Sequence, residues 1–492
     1  VRVLFAYNRF ESFGIEVLSS FLKSHGHDTD LLFDPQLFND GYVDIPPLAR
    51  LFDHRKRLLK KIEETKPDLM AVGVITDNYQ WALNLARSAK ERLSVPIVFG
   101  GAHCTAVPEE VISHDCVDFV IVGEAEYALL ELVEALEKGE DYSRIKNLVF
   151  EKDGRVVANE VRNLVEDLDE LPLPDKDLFY DVIPYARRTY SLMTSRGCPY
   201  SCTYCFNNVY RRIYKNKGRY LRRRSVDNVI EELKVMKERY GCRFVAIHDD
   251  VFMTDDAWIA EFCEKYKSAI GVPFRCIGHV NYMNESNIRM LKDAGCEIIQ
   301  IGVQTTCEHT RRNVIHRYET NEVIARASRI VKEAKIRLEL DHILGFPYEG
   351  EKEHVEAARF YNEIRPDIIN CYWLACLPKT DIIKHMIDDG RLSEEDVEGI
   401  EKGLDKSFVL GGSVRDVRNL RKFSSLFSLI PVLPRRVIDT VIRRRLYRLT
   451  NFGNTFMASM RVIKSLFWRD IRLLEFISFY KRYMIRKILS KG

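Results

Sequence analysis

Three cysteines, Cys198, Cys202 and Cys205, stand in a C-x3-C-x2-C spacing within SLMTSRGCPYSCTYCFNN, residues 191–208. Gly197 and Pro199 interrupt regular structure there, so the thiols belong to a loop. An apolar, strand-like run from Tyr190 to Thr194 leads into it. Three thiolates this close in sequence can reach one metal centre. A cubane iron–sulfur cluster takes four ligands. The loop offers three, which leaves one iron for a ligand that is not protein. The alternative is a structural zinc loop, which needs a fourth Cys or His to close its tetrahedron. No His lies within the motif.

With Tyr204 as the aromatic before the third cysteine, and with the Gly-Cys-Pro context, this segment resembles the signature of the radical S-adenosylmethionine (SAM) superfamily. The resemblance implies a 4Fe–4S cluster on Cys198, Cys202 and Cys205, with SAM on the open iron. Reductive cleavage then yields a 5′-deoxyadenosyl radical. It also implies an electron-donor protein of the flavodoxin or ferredoxin kind.

Elements must position that loop. From residue 190 to about 385, strand patterns near Phe244–Ile247, Phe274–Ile277, Ile298–Val303, Leu338–Leu344 and Ile368–Trp373 alternate with helices. With Tyr190–Thr194 they make six β/α units, a partial (β/α)6 barrel, whose sites fall at the C-terminal ends of strands. Ser225 is expected to cap a helix that Gly241 ends, and Thr254 to cap the next. The cysteine loop, Asp249-Asp250, Gln304 and Gly345 all fall at strand ends. The resemblance places Tyr204, Asp249, Gln304 and Gly345 at SAM, with Asp250 a weaker candidate. Gln304 stands where relatives often carry an acid, and Tyr348 where they carry Gly. Neither sequence nor resemblance singles out a catalytic residue.

Residues 1–145 also alternate strand and helix. VRVLFAY, Asp30–Phe33, Leu69–Ile75, Pro96–Phe99 and Asp118–Val122 read as strands of a doubly wound parallel sheet. Ligands on such sheets lie beyond the carboxyl ends of strands. Gly100, Gly101 and Gly123 sit at those ends, where missing side chains let backbone approach a large ligand. FGGAHCTAVPEE (99–110), VGEAEYALLELVEAL (122–136) and PDLMAVGVITDN (67–78) resemble the cobalamin-binding domain that precedes many radical SAM domains. The resemblance implies cobalamin contacts from Gly100, Gly101, His103, Thr105, Gly123 and Glu124. The Asp-x-His-x-x-Gly motif for an axial histidine is not apparent, so His103 carries no assignment as a cobalt ligand.

Residues 146–189 read as a linker arm without chemistry. Asp153-Gly154 marks a hairpin, and LPLPD (171–175) can continue neither helix nor ladder. The basic run RRIYKNKGRYLRRRS (211–225) suits a solvated loop, an anionic substrate or a reductant protein. Residues 386–492 form a helical C-terminal region. From Arg415 to Gly492 there are 19 Lys and Arg, 4 Asp and Glu, and 11 aromatic residues. Leu466, Trp468, Leu473, Phe476, Phe479 and Ile485 can share helix faces between cations. That suits either an amphipathic contact with an anionic membrane or packing on the barrel.

The whole chain bounds the rest. At 492 residues, 46% hydrophobic and 30% charged, it has the composition of a globular protein of two or three domains. Its 12 cysteines suit a reducing cytosol rather than a disulfide scaffold. Val1–Tyr7 is a strand with no basic region before it, so no secretory leader is expected. No run reaches the roughly 18–20 apolar residues that span a bilayer. A cytoplasmic location is expected, with the C-terminal region a candidate contact with the cytoplasmic membrane face. No nucleic-acid module is evident. The expected function is a cobalamin-dependent radical SAM C-methyltransferase acting on an unactivated carbon of a small molecule or lipid. Radical cyclisation, rearrangement or carbon–carbon coupling is the alternative within the fold. A non-catalytic corrinoid or SAM sensor is the alternative outside enzymes.

Overall fold

The computed structural model describes residues 1–39, 45–405, 410–450, 480–481 and 483–485. Its first sheet comprises β1 (Arg2–Asn8), β2 (Asp28–Asp34), β3 (Leu69–Gly73), β4 (Ile97–Gly100), β5 (Phe119–Ile121), β6 (Leu148–Lys152) and β7 (Arg155–Ala158). The spatial order is β2-β1-β3-β4-β5-β6-β7. The first five strands run parallel, and β6 and β7 pair antiparallel at the edge. The Asp153-Gly154 hairpin forms as expected, but it extends this sheet. The first domain therefore runs past residue 145, and the linker begins after Ala158.

Side chains alternate across each strand. Val3 and Phe5 of β1 join one core, Leu4 and Ala6 the other. The Val3 core is continuous with the second sheet through Phe179, Tyr180 and Tyr190. The two sheets thus share one apolar interior.

The second sheet begins with β8 (Thr189–Leu192). A short antiparallel ribbon follows, β9 (Ser195–Arg196) with β10 (Arg222–Arg223). The other strands are β11 (Phe244–Ile247), β12 (Phe274–Gly278), β13 (Cys296–Gln304), β14 (Arg337–Leu344) and β15 (Ile368–Trp373). All six run parallel in the order β8-β11-β12-β13-β14-β15, the expected partial barrel. Ser225 caps its helix, accepting from Asn228 N at 3.2 Å, and Gly241 ends it at φ +65°. Asp255, not Thr254, caps the next helix, because a carboxylate is free there to accept from Trp258 N. The Thr254 hydroxyl instead accepts from Arg223 at 3.0 Å.

The C-terminal region packs on the barrel's flank. Helix Val417–Leu429 buries Phe423, Leu426 and Phe427, with Phe427 4.8 Å from the His342 ring. Tyr483 is buried, and its hydroxyl donates to Val182 O at 3.0 Å. Tyr480 meets Phe38 edge-on at 5.3 Å. Leu466, Trp468, Leu473, Phe476 and Phe479 lie outside the described residues. No described helix is long and apolar enough to cross a membrane.

Candidate active site between the two sheets

The cysteine loop hangs from β8 by one buried carboxylate. Asp249 is fully buried at the end of β11. Its Oδ1 accepts from Thr194 N at 2.6 Å and Ser195 N at 3.3 Å, and its Oδ2 accepts from both hydroxyls. Burial pushes this carboxyl up, while Arg223 and these donors pull it down. Asp249 was expected to touch SAM. Its acceptors are instead taken by the strand that launches the loop, so it positions the loop. Asp250, the weaker candidate, lines the cleft and accepts from Asn207 Nδ2 at 3.1 Å.

Burial pushes the thiols up, Cys198 to about 12, Cys202 to about 11, and Cys205 likewise upward. Metal must then displace a proton from each. Donors that favour a ligated sulfur are present. Asn207 Nδ2 points at Cys205 Sγ from 3.6 Å, and the Tyr220 hydroxyl holds that amide at 2.6 Å. Arg211 fixes the loop backbone by donating to Cys198 O at 2.6 Å. Among the described residues, no three His, Cys, Asp or Glu side chains are grouped to hold a single metal ion. A mononuclear zinc site draws its ligands to about 2.3 Å from one point. A cluster spreads its thiolates over separate irons.

Tyr204 packs edge-on against Phe346 at 5.7 Å, which ties the cysteine loop to the segment after β14. Gln304 ends β13 in the left-handed region, φ +67°, just past a register shift at Gly302. Its amide folds over Gly302, where a Cβ would lie 2.3 Å away, and that same point is 3.6 Å from Arg317. Arg317 is buried beside Cys202, Tyr204 and Glu319, and donates to Glu319 Oε1 at 2.6 Å. Sequence reading missed Arg317. Only the fold returns residue 317 to residue 202. Gly345 is in the left-handed region at φ +101°, and a Cβ there would meet Val414 at 2.3 Å. It lines a separate cavity of about 600 Å³ with Arg391 and Lys422, not the cleft beside the cysteine loop.

On the first sheet, the expected cofactor residues divide. Gly101 and Gly123 line a cleft of about 540 Å³ shared with Arg196, Gly197, Asn207, Tyr210 and Tyr214 of the barrel. Their missing side chains make room for protein. A Cβ on Gly101 would meet Val74 O at 2.5 Å, and one on Gly123 would meet the Tyr214 hydroxyl at 1.9 Å. Thr105 ties the two turns together, donating to Gly101 O and accepting from Gly123 N, both at 2.9 Å. Gly100 closes β4 and does not border the cleft. Glu124 borders it, but its carboxylate takes a two-pronged bond from Arg222, at 2.7 and 3.0 Å, and pairs with Arg196 at 3.2 Å. Burial alone would raise its carboxyl; Arg222 and Arg196 hold it below the usual range.

His103 corrects the expectation that it could face a corrin. It is fully buried under Tyr79, ring to ring 4.2 Å, with Nδ1 3.2 Å from the Thr76 hydroxyl. Burial pushes it down to about 4, so it stays neutral. It does not border the cleft.

Two further expectations are revised. The basic run 211–225 is the seam between the sheets: Tyr214 and Arg222 are its interdomain residues, both meeting Glu124. The linker is not inert, since Leu164, Leu168, Leu171, Pro172 and Pro174 form the cleft's apolar wall. Lys176 is buried there and pairs with buried Glu16 at 2.7 Å.

A doubly wound sheet and a partial barrel share one cleft, and Gly197, Phe206 and Asn207, which flank the cysteine motif, border it. Residues 192–361 match the radical SAM superfamily, and residues 1–133 match the B12 binding domain. An uncharacterised methyltransferase of Pyrococcus horikoshii is 29% identical over 72% of this chain and 73% of its own. The anaerobic magnesium-protoporphyrin IX monomethyl ester cyclase of Rubrivivax gelatinosus is 25% identical, over 79% and 70%. The cobalamin-dependent S-adenosylmethionine radical enzyme OxsB, with aqua-cobalamin and S-adenosylmethionine bound, superposes with TM-score 0.68 at 16% identity. The match covers 100% of this chain and 79% of that one. The radical S-adenosylmethionine methyltransferase TsrM of Kitasatospora setae gives 0.64 at 17% identity, over 77% and 74%. This chain belongs to the radical SAM superfamily, among the members that carry an N-terminal cobalamin-binding domain. Its cofactors are a 4Fe–4S cluster, SAM and cobalamin.

Proposed function

We propose that the protein is a C-methyltransferase that transfers a methyl group from SAM to an unactivated carbon of a small molecule. The observation that carries this reading is the shared cleft, bordered at once by the cysteine loop and by the strand-end turns of the first sheet. When bound, the cluster supplies the electron that cleaves SAM and the corrin carries a methyl group. Cys198, Cys202 and Cys205 would hold the cluster. Tyr204, Gln304 and Arg317 would hold SAM, with Arg317 offering its remaining N–H donors to the SAM carboxylate. Gly101, Ala102 and Gly123 would meet the corrin. Phe13, Val17, Leu18 and the linker leucines exclude water, which protects a reactive species from side reactions. The Arg222–Glu124–Arg196 chain fixes the distance between the two halves. Relatives named as methyltransferases, among them the cytidylyl-2-hydroxyethylphosphonate methyltransferase of Streptomyces wedmorensis, support the reading.

The test is anaerobic reconstitution followed by turnover with methyl-labelled SAM. Label in the product supports methyl transfer. An unlabelled, ring-closed product assigns the cyclase reading, which the Rubrivivax relative favours. Cys202→Ala should retain corrin and lose 5′-deoxyadenosine formation. A Cys202→Ala protein that still forms deoxyadenosine sinks the cluster assignment. The electron donor, a cytoplasmic location and any membrane contact through the C-terminal region are part of this proposal.

A further inference from the structure

Helix Arg435–Arg443 and the 3₁₀ turn Leu446–Leu449 follow helix Val417–Leu429 on the barrel's flank. The helix buries Ile438 and Ile442, one turn apart. Its only acid, Asp439, also faces the protein, and its Oδ1 accepts from buried Asn362 at 2.7 Å. At 3.6 residues per turn, Arg436, Val437, Arg443 and Arg444 fall on the opposite side, and all four are exposed. Arg445 then leaves the helix in the left-handed region, φ +54°, and starts the turn. Tyr447 points inward, stacked on Phe423 at 5.5 Å, with its hydroxyl donating to Glu351 at 2.8 Å. Side chains three apart in a 3₁₀ turn eclipse, so Leu446 and Leu449 stand together.

The cations of this face are unpaired. Among the described residues, Arg435, Arg436, Arg443, Arg444 and Arg445 have no carboxylate partner. Glu351, beside the turn, is taken by Lys422 at 3.0 Å and Arg448 at 2.6 Å. Five like charges along eleven residues repel one another, and an anionic surface relieves that.

Charge alone would suit any polyanion; the apolar side chains choose among them. Fifteen large apolar side chains are exposed among the described residues. Four of them, Val432, Val437, Leu446 and Leu449, fall within residues 432–449, and Leu449 is the most exposed of all at 79%. A nucleic acid would neutralise the arginines and leave these side chains in water. A lipid surface takes both, with arginines at the headgroups and Val and Leu at the acyl boundary. The sequence that follows, residues 451–479, has the same composition: six Phe or Trp, and four Lys or Arg against two acids. Aromatic and cationic residues are the ones that settle at a membrane interface.

We propose that the outer face of helix Arg435–Arg443, with the Leu446–Leu449 turn, docks the protein on an anionic lipid surface. This rests on the membrane contact included in the proposed function and narrows it to one face and one lipid charge. It does not depend on the reaction assigned to the cleft.

The test is flotation of the reconstituted holoenzyme with phosphatidylcholine vesicles and with vesicles that carry one-third phosphatidylglycerol. Binding to the anionic vesicles should be at least tenfold tighter. It should fall at least tenfold when salt is raised to about 1 M, where screening shortens to roughly 3 Å. Arg436→Glu combined with Arg443→Glu should weaken it at least tenfold, since each cation near such a surface contributes about fivefold. Leu446→Ser combined with Leu449→Ser should weaken it at least fivefold. All four side chains are exposed, so both double variants should keep the parent Tm; where one does not, the other decides. Equal binding to the two kinds of vesicle, or unchanged binding in either folded double variant, overturns the proposal. Loss with the arginine pair alone would assign the face to a soluble polyanion. Deoxyadenosine formation driven by dithionite is measured on the same preparations and should be the same in all of them. Holoenzyme that cleaves SAM but ignores anionic vesicles sinks the lipid surface alone; holoenzyme that floats with them but does not cleave SAM sinks the function alone.

Discussion

The Tyr214 hydroxyl accepts a hydrogen bond from Glu124 N at 2.6 Å. Tyr214 follows the cysteine loop of the barrel; Glu124 lies in the turn after β5 of the first sheet. This contact fastens the half that holds the cluster to the half that holds the corrin, and Gly123 makes room for it.

Gly123→Ala should break that fastening. The new Cβ would lie 1.9 Å from the Tyr214 oxygen, at a backbone φ of +81° that side chains resist. The expected cost is on the order of 1–3 kcal/mol, read as a lower Tm and weaker corrin retention on gel filtration. Adding Tyr214→Ala should restore part of the Tm, because the steric component goes and only the backbone strain stays.

Arg222→Met should cost more. Arg222 is buried and closes both oxygens of Glu124. Removing one partner of a buried pair costs roughly 3–5 kcal/mol where the other charge is left uncompensated, and the Arg196 contact that Glu124 keeps sets the expectation at the lower end, about 3 kcal/mol. Arg222→Lys should recover only a fraction, since an ammonium cannot make the two-pronged contact. Thermal unfolding of the three proteins ranks them; equal Tm values would mean the pair carries no interface energy.

Asp249→Ala should release the cysteine loop without touching a cysteine. Four protein donors would lose their acceptor. Iron and sulfide content after reconstitution should fall by more than half. Asp249→Asn keeps one carbonyl for the Thr194 and Ser195 N–H groups and should lie between. Full iron loading of the alanine variant contradicts the positioning role.

Acid should destabilise the fold through buried neutral histidines. Burial pushes both His103 and His354 down to about 4. In the unfolded chain they titrate near 6.5, so between pH 6.5 and 4 the unfolded state binds more protons. Their contribution is full above pH 6.5 and is lost as pH falls toward 4, at up to about 1.4 kcal/mol per unit for each residue. His103→Gln should flatten the fall in Tm between pH 7 and pH 5; an unchanged slope would show that His103 is not protonated on unfolding.

Much of this was legible in the chain. The six barrel strands, the first five strands of the N-terminal sheet, Ser225 as a cap and Gly241 as a stop follow from local rules of period and capping. The cysteine spacing is local too, since eight residues carry it. Asp249 misled because a carboxylate at a strand end looks the same whether it meets a ligand or a backbone. Its four donors come from residues 194 and 195, some 55 positions away. His103 misled for the same reason. Position after a strand was visible, but the Tyr79 ring that covers it was not.

By itself, then, the sequence determined which elements form, in what order, and which thiols stand ready for iron. Those properties depend on neighbours within a turn or a strand. Only the tertiary structure decided that the basic run 211–225 is a seam and that Arg317 reaches the cysteine loop. Both rest on side chains brought together across tens to a hundred residues, and burial then fixes whether a charge is solvated or paired.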